Sequence, residues 1–373
     1  MTQIDPNPVD ELQWFLEELE SLAPIREEAA GTRVVFRSVT AEEVIEDSLP
    51  SEEWIEEERR VEFEGPETVQ VSAFQPLGSG PVAAVDCGIA RLGETENGLI
   101  IALRAAMVID QDSGSRVTLL RAGPVYLHNQ YKARVLYQMG RYLGKEDFFV
   151  EVDDTDPGNP RLIGTKRGVA DDAHQYGDRF RNWFERLTQR IAVTSIEDGI
   201  VLFDGALTLR TRDTPSLYLE RLAQLGSDKG NTIIGISKQS MLQVQGRSIR
   251  FWLNDVPNRA CCRVLTPLMR RERAKRVLGN AYAVRFSALG PTFRMDVKAV
   301  EGQSDTEAIG QFYSSALMRG GYPDILVRAH AHCYFTSPDV IQLEALASAK
   351  YSLIPQRQVA LTGIFAPFGG RFK

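Results

Sequence analysis

The chain has 373 residues, of which 43% are hydrophobic and 25% charged, with a net charge of −7. That is the profile of a globular chain long enough for one large domain or two ordinary ones. No apolar run reaches the ~20 residues needed to cross a bilayer, so a helical membrane protein is excluded. The four cysteines (Cys87, Cys261, Cys262, Cys333) lack CxxC spacing, which excludes a disulfide framework and argues against zinc. The polar, acidic stretch from Met1 to Asp10 does not read as a signal peptide, and the cysteine usage points to a reducing cytoplasm. The charge is uneven: residues 1–67 carry −15 and the remainder +8. An acidic leading part on a basic body suggests a polyanionic partner for the body.

In chain order, residues 9–30 read as an amphipathic helix, with Leu12, Phe15, Leu16, Leu19 and Leu22 at helical spacing. A second acidic helix is expected around 51–62, with Ser51 as N-cap. These elements define an acidic helical N-terminal segment, 1–67, ahead of a body spanning 68–373. Residues 68–74 alternate as a strand. Three β-rich runs follow, 81–85, 98–109 and 115–127, separated by turn signals, and they read as an antiparallel meander. Helices are expected over 128–144 and 171–194, with an acidic, exposed loop at 151–160 between them. Next come a strand ending at Asp204, a helix over 214–225 and a buried strand over 231–237. The second half is less regular: β-rich runs over 246–264 and 281–300 that read as paired strands with turns at Gly279-Asn280 or Leu289-Gly290-Pro291, a helix over 305–318, a turn at 320–324, and a helix carrying Leu326, His330 and His332. The densest basic cluster, 269–276, lies between the two β-rich runs. The tail, 365–373, combines Phe365, Phe368 and Phe372 with glycine and proline, which excludes a regular helix.

Two stretches share one form. Gly199-Ile200-Val201-Leu202-Phe203-Asp204-Gly205 and Val82-Ala83-Ala84-Val85-Asp86-Cys87-Gly88 are each short apolar runs that lead into an aspartate, with glycine close behind. A strand end fixes the backbone of such an Asp, and the glycine lets the chain turn or a ligand approach. The plainer reading is a turn former after each strand. What lies between them favours a shared site. Three strands, helix, strand, helix, strand is the order of the ribonuclease-H-like fold. The expected architecture is therefore an α/β ribonuclease-H-like mixed sheet flanked by helices, with β-rich insertions. In that fold a helix supplies a third carboxylate, and Glu185 is the only glutamate of its helix.

On these residues the chain resembles the NurA nuclease family, prokaryotic nucleases that process DNA ends alongside the hexameric HerA translocase. The resemblance covers roughly 70–373. It is carried by Ala84-Val85-Asp86, Glu185 ahead of Leu202-Phe203-Asp204-Gly205, Ile233-Ile234-Gly235-Ile236-Ser237-Lys238, and Tyr322-Pro323 followed by Ala329-His330. It implies a catalytic set of Asp86, Glu185, Asp204, Tyr322 and His330. It also implies 5′→3′ exonuclease activity on DNA ends in recombinational repair, leaving single-strand endonuclease activity open, and a homodimer beneath a HerA-type ring ATPase. The family's usual Asp-Gly-Ser is replaced here by Asp86-Cys87-Gly88.

Clustered carboxylates with little histidine select hard, oxygen-loving ions, Mg²⁺ or Mn²⁺. Two such ions can activate water and steady the charge on entering and leaving oxygens. Asp86, Glu185 and Asp204 suit that role. His330 fits as a nitrogen ligand, a water-orienting group or a proton donor. His332, two residues on, points to a different helix face. Lys238 and the cluster Arg270, Arg271, Arg273 and Lys275 are the candidate phosphate contacts on DNA, although solvated lysines and charge runs are common. A catalytically inert DNA-end-binding adaptor of a ring ATPase, and an enzyme acting on RNA or hybrid, are the alternative readings.

Overall fold

The structure is a computed structural model that describes residues 8–21, 24, 26–36, 69–73, 79–142, 150–153, 161–165, 173–208, 216–238, 240, 243–244, 247–248, 251, 260–264, 277–287 and 290–356. The expected helix over 51–62, the basic cluster at 269–276 and the tail at 365–373 lie outside the described residues.

The helices are α1 (Pro8–Ser21), α2 (Arg26–Ala29), α3 (Lys132–Tyr142), α4 (Ala173–Ser195), α5 (Ser216–Asp228), α6 (Asp305–Ser315), α7 (Asp324–Cys333) and α8 (Ser337–Tyr351). The strands of the first half are β1 (Arg33–Phe36), β2 (Val69–Ala73), β3 (Val82–Thr95), β4 (Gly98–Gln111), β5 (Gly114–His128), β6 (Val150–Asp153), β7 (Arg161–Thr165), β8 (Ile200–Asp204) and β9 (Thr232–Ser237). Those that follow are β10 (Gln243–Val244), β11 (Arg247–Ser248), β12 (Ala260–Val264), β13 (Asn280–Arg285), β14 (Phe293–Lys298), β15 (Met318–Arg319), β16 (Tyr322–Pro323) and β17 (Ile354–Gln356).

Eleven of the described strands form one sheet. Its centre runs β5-β4-β3-β8-β9, with β3, β4 and β5 antiparallel and β8 and β9 parallel to β3. α4 lies between β5 and β8 in the chain, and α5 between β8 and β9. This is the ribonuclease-H-like arrangement expected from the order of elements. Beyond β9 the sheet continues antiparallel through β14, β13, β12 and β2. β8 and β9 are apolar almost throughout and buried on both faces, as parallel strands covered by helices must be.

Several boundaries differ from the sequence reading. Residues 9–30 break into α1 and the short α2 rather than one helix. The flanks of the acidic 151–160 stretch pair as the small β6–β7 hairpin. The 281–300 run, by contrast, forms the antiparallel pair β13 and β14 on either side of the turn signal at 289–291. The most consequential difference is Asp86, which lies inside a long strand and does not end one. β3 runs on to Thr95 because β4 stays paired with it along its whole length. Its other edge is shared: Val82–Val85 pair with β8, and Gly93–Thr95 pair with β1. Asp86 is thus the first residue of β3 beyond the end of its pairing with β8.

Alternation along the strands sorts side chains by face. Val82, Ala84, Leu202, Ile234 and Ile236 pack with Ile309 and Phe312 of α6 and Leu326 and Ala329 of α7. Ala83, Val85, Val201 and Ile233 pack with Ala192 of α4 and Leu219 and Leu222 of α5. α1 adds to the second face: Phe15 is fully buried against Phe180, Trp183 and Phe184, with the Trp183 ring edge-on at 4.8 Å. Burying a phenylalanine in this way contributes about 1.5–3 kcal/mol.

Candidate functional site

Asp86 and Asp204 lie side by side on the α7 face, at the carboxyl end of paired parallel strands. Their positions follow from the register, in which Val85 pairs with Phe203 and Asp204 with Ile236. Open α/β sheets collect ligands at such strand ends. Gly205, at φ +126, takes the chain away after Asp204 in a conformation that favours glycine. The loop is then fixed from below: the Leu207 amide donates to Asp296 Oδ2 at 2.8 Å, and Asp296 is held by Arg294 in a buried ion pair. Gly235 lets this loop lie close, since a Cβ there would stand 2.5 Å from the Gly205 carbonyl oxygen.

His330 enters from α7. Its Nδ1 is 2.7 Å from Asp86 Oδ2. α7 approaches β3 this closely because residue 88 is glycine: a Cβ there would meet the Cys333 carbonyl oxygen at 2.5 Å. Tyr322, in β16 just ahead of α7, places its hydroxyl 3.4 Å from Asp204 Oδ1. Lys238, the residue after β9, donates from Nζ to Asp204 Oδ2 at 2.7 Å and stands 5.0 Å from the Tyr322 ring centroid. His332 is exposed.

Glu185 comes from α4, which covers the opposite face. It and Arg181 reach Asp86 at the part of β3 that β8 no longer covers. Arg181 Nε donates to the Cys87 carbonyl at 2.7 Å. The same guanidinium lies 3.5 Å from Glu185 Oε2 and 3.8 Å from Asp86 Oδ1. Gln189 Nε2 donates to Glu185 Oε1 at 3.0 Å. Asp178, the other acidic residue of that helix, pairs instead with Arg91.

The charges respond to this crowding. Burial opposes the charge on Asp86, but the His330 hydrogen bond and the Arg181 guanidinium outweigh it and hold Asp86 below the usual carboxylate range. Burial pushes Glu185 up to about 7, and Asp86 and Asp204 push the same way against Arg181 and Arg186. Burial and the Asp86 charge also raise Asp204, against the attraction of Lys238. The Asp86 hydrogen bond raises His330 above an ordinary histidine, although burial works the other way. Cys333 Sγ comes within 4.8 Å of the ligand atoms of Asp86 and His330. Burial and the neighbouring Asp86 and Cys87 push its thiol up, so in the metal-free chain the group presents carboxylate oxygens, one imidazole and a neutral thiol.

All five residues of the expected catalytic set therefore fall in one neighbourhood. Lys238 joins them through Asp204, a partner the sequence did not indicate, although its place one residue past a parallel strand was visible. Arg181 was missed altogether. The one signal for it was its spacing, four residues ahead of Glu185 on the same helix face. Arg270, Arg271, Arg273 and Lys275 lie outside the described residues.

Fold and site together define a class: a ribonuclease-H-like α/β protein with carboxylates from two neighbouring parallel strands and a third from the helix that covers them. Among solved structures it is similar to the NurA nuclease from Sulfolobus solfataricus, at 15% identity over 75% of this chain and 87% of that one, with a TM-score of 0.46. It is also similar to Ciona intestinalis Endonuclease V in complex with an inosine-containing DNA (10% identity, 87% of this chain, 95% of that one, TM-score 0.34). A third likeness is to A. aeolicus Argonaute (10%, 71% of this chain, 28% of that one, TM-score 0.27). No protein-family model matches the chain, and no curated protein matches it.

Proposed function

We propose that the chain is a phosphodiester hydrolase that depends on a divalent cation and acts on DNA. The observation that carries this is the convergence of Asp86, Glu185 and Asp204, from two strands and a helix, into one buried space where each raises the cost of ionising the next. Like charges brought together out of water need a cation or a retained proton to compensate them, and a divalent ion does so for more than one carboxylate. The donor set fits Mg²⁺ or Mn²⁺, which take oxygen ligands, often one or two carboxylates with water and substrate phosphate making up the rest. Asp86 and Asp204 would hold such an ion, which supplies an activated water and positive charge for the phosphoryl oxygens.

The remaining residues take roles from their geometry. With Asp86 ionised, His330 Nδ1 carries the hydrogen between them and Nε2 is left for the substrate. The Asp86 hydrogen bond favours the protonated ring, which suits Nε2 to donate a proton to a leaving oxygen. Tyr322 and Lys238 flank Asp204 and would orient the scissile phosphate. Arg270, Arg271, Arg273 and Lys275 would follow the DNA backbone, in keeping with the +8 charge of residues 68–373. The motif resemblance to NurA nucleases supports DNA ends as substrate, 5′→3′ polarity, a homodimer and a HerA-type ring ATPase as partner. It also supports reading 68–373 as the nuclease domain. The buried carboxylate trio argues against an inert adaptor.

The test is cleavage of end-labelled single- and double-stranded DNA with Mn²⁺, with Mg²⁺ and with chelator. Cleavage that requires the ion and releases nucleotides from 5′ ends is the expected outcome. Absence of cleavage on every substrate with either ion would refute the proposal.

A further inference from the structure

We propose that Arg181 stands where a second metal ion would sit, so that this centre binds a single divalent ion, on Asp86 and Asp204. This deepens the hydrolase reading above and rests on it. A two-ion site needs room for a second cation on the Glu185 side of Asp86, and a guanidinium already sits there. Here the Glu185 side is occupied. Glu185 Oε1 accepts from Gln189 at 3.0 Å, and Oε2 faces the Arg181 guanidinium at 3.5 Å. The space between Glu185 and Asp86 Oδ1 holds that same guanidinium, 3.8 Å from Asp86.

Arg181 is not a mobile side chain that an ion displaces. It is 8% exposed, its Nε is fixed to the Cys87 carbonyl at 2.7 Å, and its Nη1 donates to Asn182 Oδ1 at 3.1 Å. Moving it would strand a buried charge and leave that carbonyl without its donor, which is strongly unfavourable. Lys238 contrasts with it. The Lys238 side chain is 37% exposed on a flexible stem, and it can leave Asp204 when an ion arrives. One cation of the site is therefore permanent and built in, and the other position exchanges between Lys238 and metal. Glu185 on this account is a positioning residue that holds Arg181.

The inference is tested by counting Mn²⁺ bound to the full chain, from the spin-resonance signal of free Mn²⁺ and by calorimetry, beside the DNA cleavage assay. One ion per chain is expected. Glu185→Gln should keep that one ion, its affinity weakened by no more than the about 10- to 100-fold seen when an outer partner is lost, whereas Asp204→Asn should lose it. Arg181→Met, if folded by circular dichroism, should take up a second ion beside Glu185. Any count other than one in a wild-type chain that cleaves DNA with Mn²⁺ overturns the inference, as does loss of the ion in Glu185→Gln or a folded Arg181→Met that still binds one. No bound ion together with no metal-dependent cleavage overturns the hydrolase reading itself.

Discussion

His330 Nδ1 lies 2.7 Å from Asp86 Oδ2, although 244 residues separate the two in the chain. The bond makes each group support the charged form of the other: Asp86 is lowered and His330 raised. In the metal-free protein, Asp86→Asn should move the His330 titration down, because burial then acts without its main opponent. The sign for stability follows. His330 is raised above 6.5 in the folded chain, so the bond's contribution is complete below that pH while Asp86 stays ionised, and it is lost as pH rises through the folded His330 value. NMR titration of the imidazole resonances checks this, and an unmoved His330 in the variant would contradict the arrangement.

Asp204→Asn should reduce DNA cleavage by about 10³-fold or more, since it removes an ion-holding carboxylate and several kcal/mol of charge stabilisation with it. DNA affinity should change little, because phosphate contacts elsewhere persist. Parallel cleavage and binding measurements separate the two effects.

Lys238→Met removes the cation that competes for Asp204 Oδ2. Mn²⁺ should then bind about fivefold tighter, corresponding to the ~1 kcal/mol upper range of a part-exposed ion pair. Cleavage should nonetheless fall if Lys238 also orients the phosphate. Calorimetry of Mn²⁺ binding alongside turnover gives both numbers, and weaker metal binding in the variant would show that Lys238 supports the ion.

Gly88→Ala puts a Cβ 2.5 Å from the Cys333 carbonyl oxygen, so α7 must shift and carry His330 with it. Overpacking of this kind costs about 1–3 kcal/mol. A lowered thermal midpoint and reduced cleavage are expected together. A variant with unchanged stability would mean that the helix yields without strain.

Glu344, in α8, is raised to about 7 by burial, and its Oε1 has no hydrogen-bond partner among the described residues. An acid raised in the folded state contributes fully below its unfolded value near 4.5 and loses that contribution as pH rises through about 7. The chain should therefore be less stable at pH 8 than at pH 5 through this group. Glu344→Gln should flatten that limb and stabilise the protein at pH 8. Urea unfolding of both proteins at the two pH values measures it.

The sequence by itself determined the architecture and most of the site's membership. Short β-branched runs, glycine-marked turns and amphipathic spacing act locally, so the β3–β4–β5 meander, α4, β8, α5 and β9 were legible in order. That order placed Asp86 and Asp204 on neighbouring strands. Only the tertiary structure decided what depends on strand edges and on approach between distant elements. β3 does not end at Asp86, because β4 holds one edge while β8 releases the other, and no local propensity encodes which edge is released. That open edge admits Arg181 from the opposite face, and Gly88 sets how near α7 brings His330. Lys238 and Arg181 read as ordinary cations in the chain. Burial and the carboxylates gathered around them make them part of the site, because charge interactions strengthen when water is excluded.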